Sequence, residues 1–133
     1  MPHLLILDDE ELILNALVRA LKSEEYTIDK FTSPLQALDD LRKTNYDVIL
    51  ADYRIPEMDG ITFLKKSKQF LPQAKRIILS GQADFNGLVS AINEAEIFRF
   101  IFKPWNDDEL KNILMQATAH KIMVEYPDNS EFN

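Results

Sequence analysis

Asp52 closes the apolar run Val48-Ile49-Leu50-Ala51, and other chemically capable side chains are placed in the same way. Asp8 and Asp9 follow Leu4-Leu5-Ile6-Leu7, Ser80 follows Ile77-Ile78-Leu79, and Lys103 follows Phe100-Ile101-Phe102. Short, unbroken apolar runs of this kind read as strands buried on both faces. If the strands are parallel, their carboxyl ends share one edge of the sheet, where open α/β folds bind ligands. Three carboxylates, a hydroxyl and an ammonium then meet at that edge.

Each of these residues has an ordinary role when taken singly. Asp8 or Asp9 can cap a helix, Asp52 and Ser80 can form turns, and Lys103 can end a strand in solvent. Their convergence is harder to explain that way. Two unit charges about 4 Å apart repel by ~4 kcal/mol at an effective dielectric near 20. Three carboxylates therefore call for a cation or for protonation, and a hard divalent ion with oxygen ligands, Mg²⁺ first among them, answers that need. Lys103 supplies a second cation, its backbone held extended by Pro104. An ammonium and a metal ion on either side of a carboxylate suit a tetrahedral dianion bonded to that carboxylate, each neutralising a different phosphoryl oxygen. Ser80 offers a third contact, and Gly81 after it allows close backbone approach.

The intervening segments supply the elements that must position these groups. Ile13, Leu17 and Leu21, with Leu14 and Val18 beside them, make a helical stripe after the first strand. Tyr26 to Phe31 alternates weakly and reads as an edge strand. Ser33-Pro34 opens a second helix, Ser as cap and Pro in the first turn, with Ala37, Leu38 and Leu41 inward. A loop from Ile55 leads through Gly60 to a third helix carrying Phe63, Leu64 and Phe70, which Pro72 ends. Phe85, Leu88, Val89 and Ile92 mark a fourth helix, weakened at Gly87 by ~1 kcal/mol relative to Ala. Leu110, Ile113, Leu114 and Ala117 mark a fifth, capped by Asn106 or Asp107. Five strands alternating with five helices imply a parallel sheet with right-handed crossovers and helices on both faces.

The 133 residues are 46% apolar and 28% charged, the balance of a globular protein, and long enough for one domain. Residues 1–123 are read as that domain, and residues 124–133, polar and aperiodic, as a tail or the start of a linker. No apolar run approaches the roughly 18 residues of a membrane span. Met1-Pro2-His3 does not begin a secretory leader, and the absence of cysteine excludes disulfides and thiolate metal sites; both lead to the expectation of a cytoplasmic protein. A net charge of −7 without a Lys/Arg cluster argues against direct nucleic-acid binding.

The chain resembles the receiver domain of two-component response regulators over residues 3–122. The resemblance rests on Asp8-Asp9-Glu10, on Asp52-Tyr53-Arg54-Ile55-Pro56-Glu57-Met58-Asp59-Gly60, on Leu79-Ser80-Gly81 and on Lys103-Pro104-Trp105. It implies a single flavodoxin-like, doubly wound five-stranded parallel sheet of order 2-1-3-4-5 with five helices. It implies that Asp52 is the nucleophile that takes a phosphoryl group from a histidine kinase. Asp9 would ligate Mg²⁺ directly and Asp8 through water, beside Asp52 and the Arg54 carbonyl. Ser80 and Lys103 would bind phosphoryl oxygens and reshape the surface around the fourth helix, fifth strand and fifth helix. Phe100 holds the family's switch position, without the hydroxyl a tyrosine would bring, and core packing explains it equally well. Arg54 and Gln82 hold positions that tune how water reaches the phosphoryl group. The implied partners are a sensor histidine kinase or phosphotransfer protein, an output domain or downstream protein, and a second copy of the chain. The stretch from Ile92 to Trp105 resembles receivers attached to HD-type cyclic-dinucleotide phosphodiesterases or to hybrid kinases, and Trp105 suits either a partner contact or packing under the last helix.

Three other readings compete. A Mg²⁺-dependent aspartyl-phosphate phosphatase of the haloacid-dehalogenase type wants an acid two residues after the nucleophile, where this chain has Arg54. A flavin module of the same topology wants a Ser/Thr-rich loop after the first strand, where this chain has Asp8-Asp9-Glu10-Glu11. A phosphorylation-independent adaptor would not need the full set of acceptor residues that is present.

Overall fold

The computed structural model describes residues 1–124. Strands β1 (His3–Leu7), β2 (Thr27–Phe31), β3 (Val48–Asp52), β4 (Lys75–Gly81) and β5 (Ile97–Lys103) form one sheet in which every pairing is parallel. Their order, β2-β1-β3-β4-β5, is the doubly wound arrangement that the family resemblance implies, and the parallel pairing is the one expected from the alternation of strands and helices. β3 lies at the centre, and all five of its residues are buried. β2 is an edge strand, largely half-exposed.

Alternate strand residues feed two cores, one on each face of the sheet. Leu4, Ile6, Val48, Leu50, Ile77 and Leu79 pack with Leu14, Leu17 and Leu21 of the α1 (Glu11–Ala20) region and with Leu110 and Leu114 of α6 (Asp107–Val124). Leu5, Leu7, Ile49, Ala51 and Ile78 pack with Ala37 and Leu41 of α2 (Pro34–Leu41) and Phe63 and Leu64 of α3 (Gly60–Phe70). Each fully buried Leu, Ile or Phe contributes roughly 1.5–3 kcal/mol relative to its exposed state. Phe70 departs from the expected inward stripe and is 39% exposed at the end of α3.

Local signals start α2 and α6 as expected, Asp59 caps α3, and α1 starts after Glu10 with no side-chain cap from Asp8 or Asp9. The Ser33 side chain accepts from the Gln36 N–H with Pro34 in the first turn. Asp59 Oδ1 accepts from the Thr62 N–H at 2.8 Å, and Asn106 Oδ1 from the Glu109 N–H at 3.0 Å. Asn106, rather than Asp107, is thus the cap of α6.

The expected fourth helix is not continuous, so the helices number six among the described residues and not five. A 3₁₀ turn over Gln82–Asp84, α4 (Phe85–Leu88), a second 3₁₀ turn over Val89–Ala91 and α5 (Ile92–Ala95) share the segment. None of these pieces has a side-chain cap, and Gly87 lowers helical preference within α4. The 3₁₀ turns advance three residues per turn, which breaks the helical stripe. Leu88 stays buried, whereas Val89 is 47% exposed. The fold class is unaffected. The tail read from the sequence lies, apart from Val124, outside the described residues, and no described helix is long and apolar enough to cross a membrane.

Candidate functional site

Register brings the acidic residues together. β1 pairs with β3, Leu7 opposite Ala51, so the residues that follow, Asp8 and Asp52, emerge side by side at the carboxyl edge. Both are almost fully covered, at 1% and 5% exposure, while Asp9 on the next position is exposed. One oxygen from each of Asp8, Asp9 and Asp52 lies within 4.8 Å of the others. Asp8 is further fixed by accepting the Glu10 N–H at 2.9 Å. On the other side, β4 pairs with β5, Gly81 opposite Lys103. The Lys103 side chain reaches back past β4 to within 2.8 Å of Asp52 Oδ1 and 3.4 Å of Asp8 Oδ2. The Lys103–Pro104 peptide is cis.

The electrostatics follow from burial and crowding. Burial first, and then the charge of Asp52, push Asp8 up to about 6, against the Glu10 N–H and Lys103. Asp52 is also raised, chiefly by burial and to a lesser degree by Asp9, although Lys103 works to lower it. Burial works against the Lys103 ammonium, but its hydrogen bond and charge pairing with Asp52, with help from Asp8, hold its pKa above the ordinary value. One ammonium thus leaves three carboxylates under-compensated. Converging anionic oxygens short of positive charge are the donor set a hard divalent cation takes, so the residues present fit such an ion. A cavity of about 360 Å³ opens beside Asp9, lined also by Tyr53, Arg54, Ile55, Pro56 and Asp59.

The loop between Asp52 and α3 is held tightly. The Tyr53 N–H donates to the Leu79 carbonyl at 2.9 Å, and the Gly60 N–H to the Tyr53 carbonyl at 2.8 Å. A Cβ at Gly60 would lie 2.3 Å from the Asp52 carbonyl oxygen and 2.8 Å from Ile78 Cδ1. Gly60 is required for space, since its φ is not positive.

The remaining candidates divide. Ser80 is buried one residue beyond Leu79, the partner of Asp52, but its hydroxyl donates to the Gly81 carbonyl at 2.9 Å. Phe100 sits opposite Ile78 on β5, half-buried, with its ring 5.2 Å from Phe85 in an edge-on contact. Gln82 is exposed at the start of the 3₁₀ turn. Arg54 lies at the rim, its guanidinium paired with Asp84. Asp84 was not singled out from sequence: it is 30 positions from Arg54, and no local pattern marks it. Nor was Phe85 seen as the ring that packs on both Phe100 and Phe102. Trp105 packs at the edge of the α1 and α6 core, and its indole N–H donates to Asp107 at 3.0 Å.

The model of the response regulator receiver domain family matches residues 4–115. Among curated relatives, the chain is 36% identical over 113 residues to the hydrogenase transcriptional regulatory protein HoxA of Cupriavidus necator, covering 85% of this chain and 23% of that protein. It is 34% identical over 128 residues to the DNA-binding transcriptional regulator NtrC of Klebsiella pneumoniae, covering 96% and 27%. The chain therefore spans about a quarter of the length of these relatives. Among solved structures, it superposes with a TM-score of 0.85 on the signal receiver domain of an HD domain-containing protein from Pseudomonas fluorescens Pf-5, at 37% identity, covering 92% of this chain and 90% of that one. An uncharacterized protein from Neptuniibacter caesariensis gives a TM-score of 0.87 at 34% identity, covering 96% and 93%.

Proposed function

The chain belongs to the response regulator receiver domain family, and on that premise we propose that Asp52 accepts a phosphoryl group from a phosphohistidine on a sensor kinase or phosphotransfer protein. What carries this is the convergence of Asp8, Asp9 and Asp52 with the Lys103 ammonium 2.8 Å from Asp52. The protein is a signalling switch rather than an enzyme that turns over an external substrate.

In the transfer, an Asp52 oxygen forms a bond to phosphorus as the P–N bond breaks. The electron pair stays on the imidazole nitrogen, which takes a proton from water. Asp8, Asp9, Asp52 and the Arg54 carbonyl would hold Mg²⁺. The ion, when bound, supplies charge neutralisation at the phosphoryl oxygens. Lys103 keeps its proton throughout and, already beside Asp52, binds a second phosphoryl oxygen. Ser80 exchanges the Gly81 carbonyl for a third. Burial of Asp52 limits water around the acceptor oxygen, and the tight Asp52–Gly60 loop holds that oxygen in place for attack.

The phosphoryl group then acts as a ligand whose differential contacts favour one of two packings. Lys103 and Ser80 end β5 and lie near the end of β4, so their movement is transmitted to the 82–95 segment, β5 and α6. Phe100 contributes by ring packing on Phe85, without a hydroxyl to bond inward. Arg54 and Gln82 tune the lifetime of the phosphorylated form. The same face would serve pairing with a second copy, and the cytoplasm is the proposed location. The output is proposed to be an HD-type domain, supported by the similarity to the receiver of the Pseudomonas HD domain-containing protein, and a cyclic-dinucleotide phosphodiesterase is the activity implied by the resemblance of the Ile92 to Trp105 stretch. The regulators HoxA and NtrC support a DNA-directed output instead, and the full reading frame of the gene decides between them.

The test is intact-mass measurement after incubation with acetyl phosphate and Mg²⁺. A single phosphoryl adduct, lost with chelator and lost in Asp52→Asn, is expected. Sustained release of phosphate from monoesters would support a phosphatase, and a folded protein that takes no adduct would support an adaptor.

A further inference from the structure

Arg54 and Asp84 face each other across the rim of the site. Arg54 follows β3 two residues after Asp52, and Asp84 ends the 3₁₀ turn after β4. Arg54 Nε donates to Asp84 Oδ2 at 3.0 Å and Nη2 to Oδ1 at 2.5 Å, a bidentate pair. The two ends differ in exposure: the guanidinium is 76% exposed and the carboxylate 13%. Arg54 lines the cavity that Asp9 also lines. Asp84 holds the guanidinium above its ordinary pKa, first by hydrogen bonding and then by charge, and Asp52 adds to the same effect from inside the site. The following residue, Phe85, packs edge-on against Phe100 at 5.2 Å and Phe102 at 5.4 Å. Asp84 therefore ties the uncapped 82–95 segment to the loop after β3, next to the point where Phe85 ties it to β5.

We propose that this pair is a phosphoryl-sensitive latch: a phosphoryl group on Asp52 draws the Arg54 guanidinium away from Asp84, so that Arg54 becomes a phosphoryl contact and residues 82–95 are released. The proposal rests on Asp52 being the phosphoacceptor. Guanidinium binds phosphate with the same two-pronged geometry it uses on carboxylate, so the exchange needs little more than side-chain rotation. A phosphoryl group brings more negative charge than a single carboxylate. The existing pair is exposed on the arginine side, where water and salt weaken it. Once the arginine leaves, a carboxylate only 13% exposed has lost its partner and must reach water, which displaces the turn that carries it. That turn begins a segment of single-turn pieces, the kind that opens most readily. Asp84 is a positioning residue in this scheme, acting through Arg54.

The test combines intact mass with amide hydrogen exchange of residues 82–95, before and after incubation with acetyl phosphate and Mg²⁺. The wild-type protein is expected to form the adduct and to exchange these amides about threefold faster when phosphorylated. In Asp84→Asn, similar in shape but without the ion pair, exchange is raised before phosphorylation and gains little afterwards. Arg54→Gln behaves alike, and the double variant shows no additional rise, because the two substitutions remove one interaction. An adduct on the wild type with unchanged exchange over 82–95 would overturn the latch alone. So would an Asp84→Asn increment equal to that of the wild type. Failure of the wild type to form any adduct would overturn both the latch and the assignment of Asp52.

Discussion

The Lys103 ammonium lies 2.8 Å from Asp52 although the strand between them, β4, separates their backbones. The contact joins the ends of β3 and β5 over the carboxyl edge and offsets part of the charge of two buried carboxylates. Its removal has two separable effects. In Lys103→Ala the site loses a cation, so Mg²⁺ binds at least as tightly as in the wild type. The phosphoryl-dependent change in Trp105 fluorescence, by contrast, is lost, because the group that would carry β5 toward the phosphoryl oxygen is gone. A Mg²⁺ titration followed by addition of acetyl phosphate, both read at Trp105, checks the pair of outcomes.

Asp8 makes stability depend on pH in a defined direction. Its folded pKa of about 6 lies above the ~3.9 of an unfolded aspartate. The folded state therefore holds the extra proton between these values. The stability this contributes is fully present below pH ~4 and is lost as pH rises through about 6. Metal-free Asp8→Asn should match the wild type near pH 4 and exceed it at pH 7 by roughly 2–3 kcal/mol. Added Mg²⁺ narrows the gap by stabilising the wild type through binding. Urea denaturation in chelator and in Mg²⁺ across this range measures it. A wild type more stable than the variant at pH 7 in chelator would reverse the sign and contradict it.

Gly60→Ala places a methyl group 2.3 Å from the Asp52 carbonyl oxygen, and backbone cannot yield as a flexible side chain does. A loss of about 3 kcal/mol is expected, together with slower adduct formation, since the strand that carries Asp52 must shift. Gly87→Ala, where a Cβ meets nothing within 4 Å, should instead be neutral or slightly stabilising. Thermal unfolding of the two variants side by side checks the contrast.

Much of the site was legible because it lies at the ends of uniformly apolar strands. Leu4 to Leu7 and Val48 to Ala51 could be little other than central strands, and strand order then places Asp8, Asp9, Asp52 and Lys103 on one edge. What escaped was set by tertiary contact. The stripe at Phe85, Leu88, Val89 and Ile92 has helical spacing, but spacing does not reveal that the backbone tightens into 3₁₀ turns. Arg76, an arginine beside an apolar run that nothing in the sequence marks for burial, is buried and donates to the carbonyls of Ala95 at 2.8 Å and Ala74 at 2.9 Å, fixing the end of α5. Glu96 ends α5 at φ 50°, a conformation that a sequence reader would look for at glycine. The Arg54–Asp84 pair and the fit of Gly60 against Asp52 depend on loops whose paths only the folded chain defines.

The most direct measurement is to locate the phosphoryl group. After incubation with acetyl phosphate and Mg²⁺, borohydride reduces an acyl phosphate at aspartate to homoserine, which peptide mapping assigns to a residue. Conversion at residue 52, with Asp8 and Asp9 unmodified, is the predicted result. Conversion at Asp8 or Asp9 instead, or an adduct that persists in Asp52→Asn, would contradict the account.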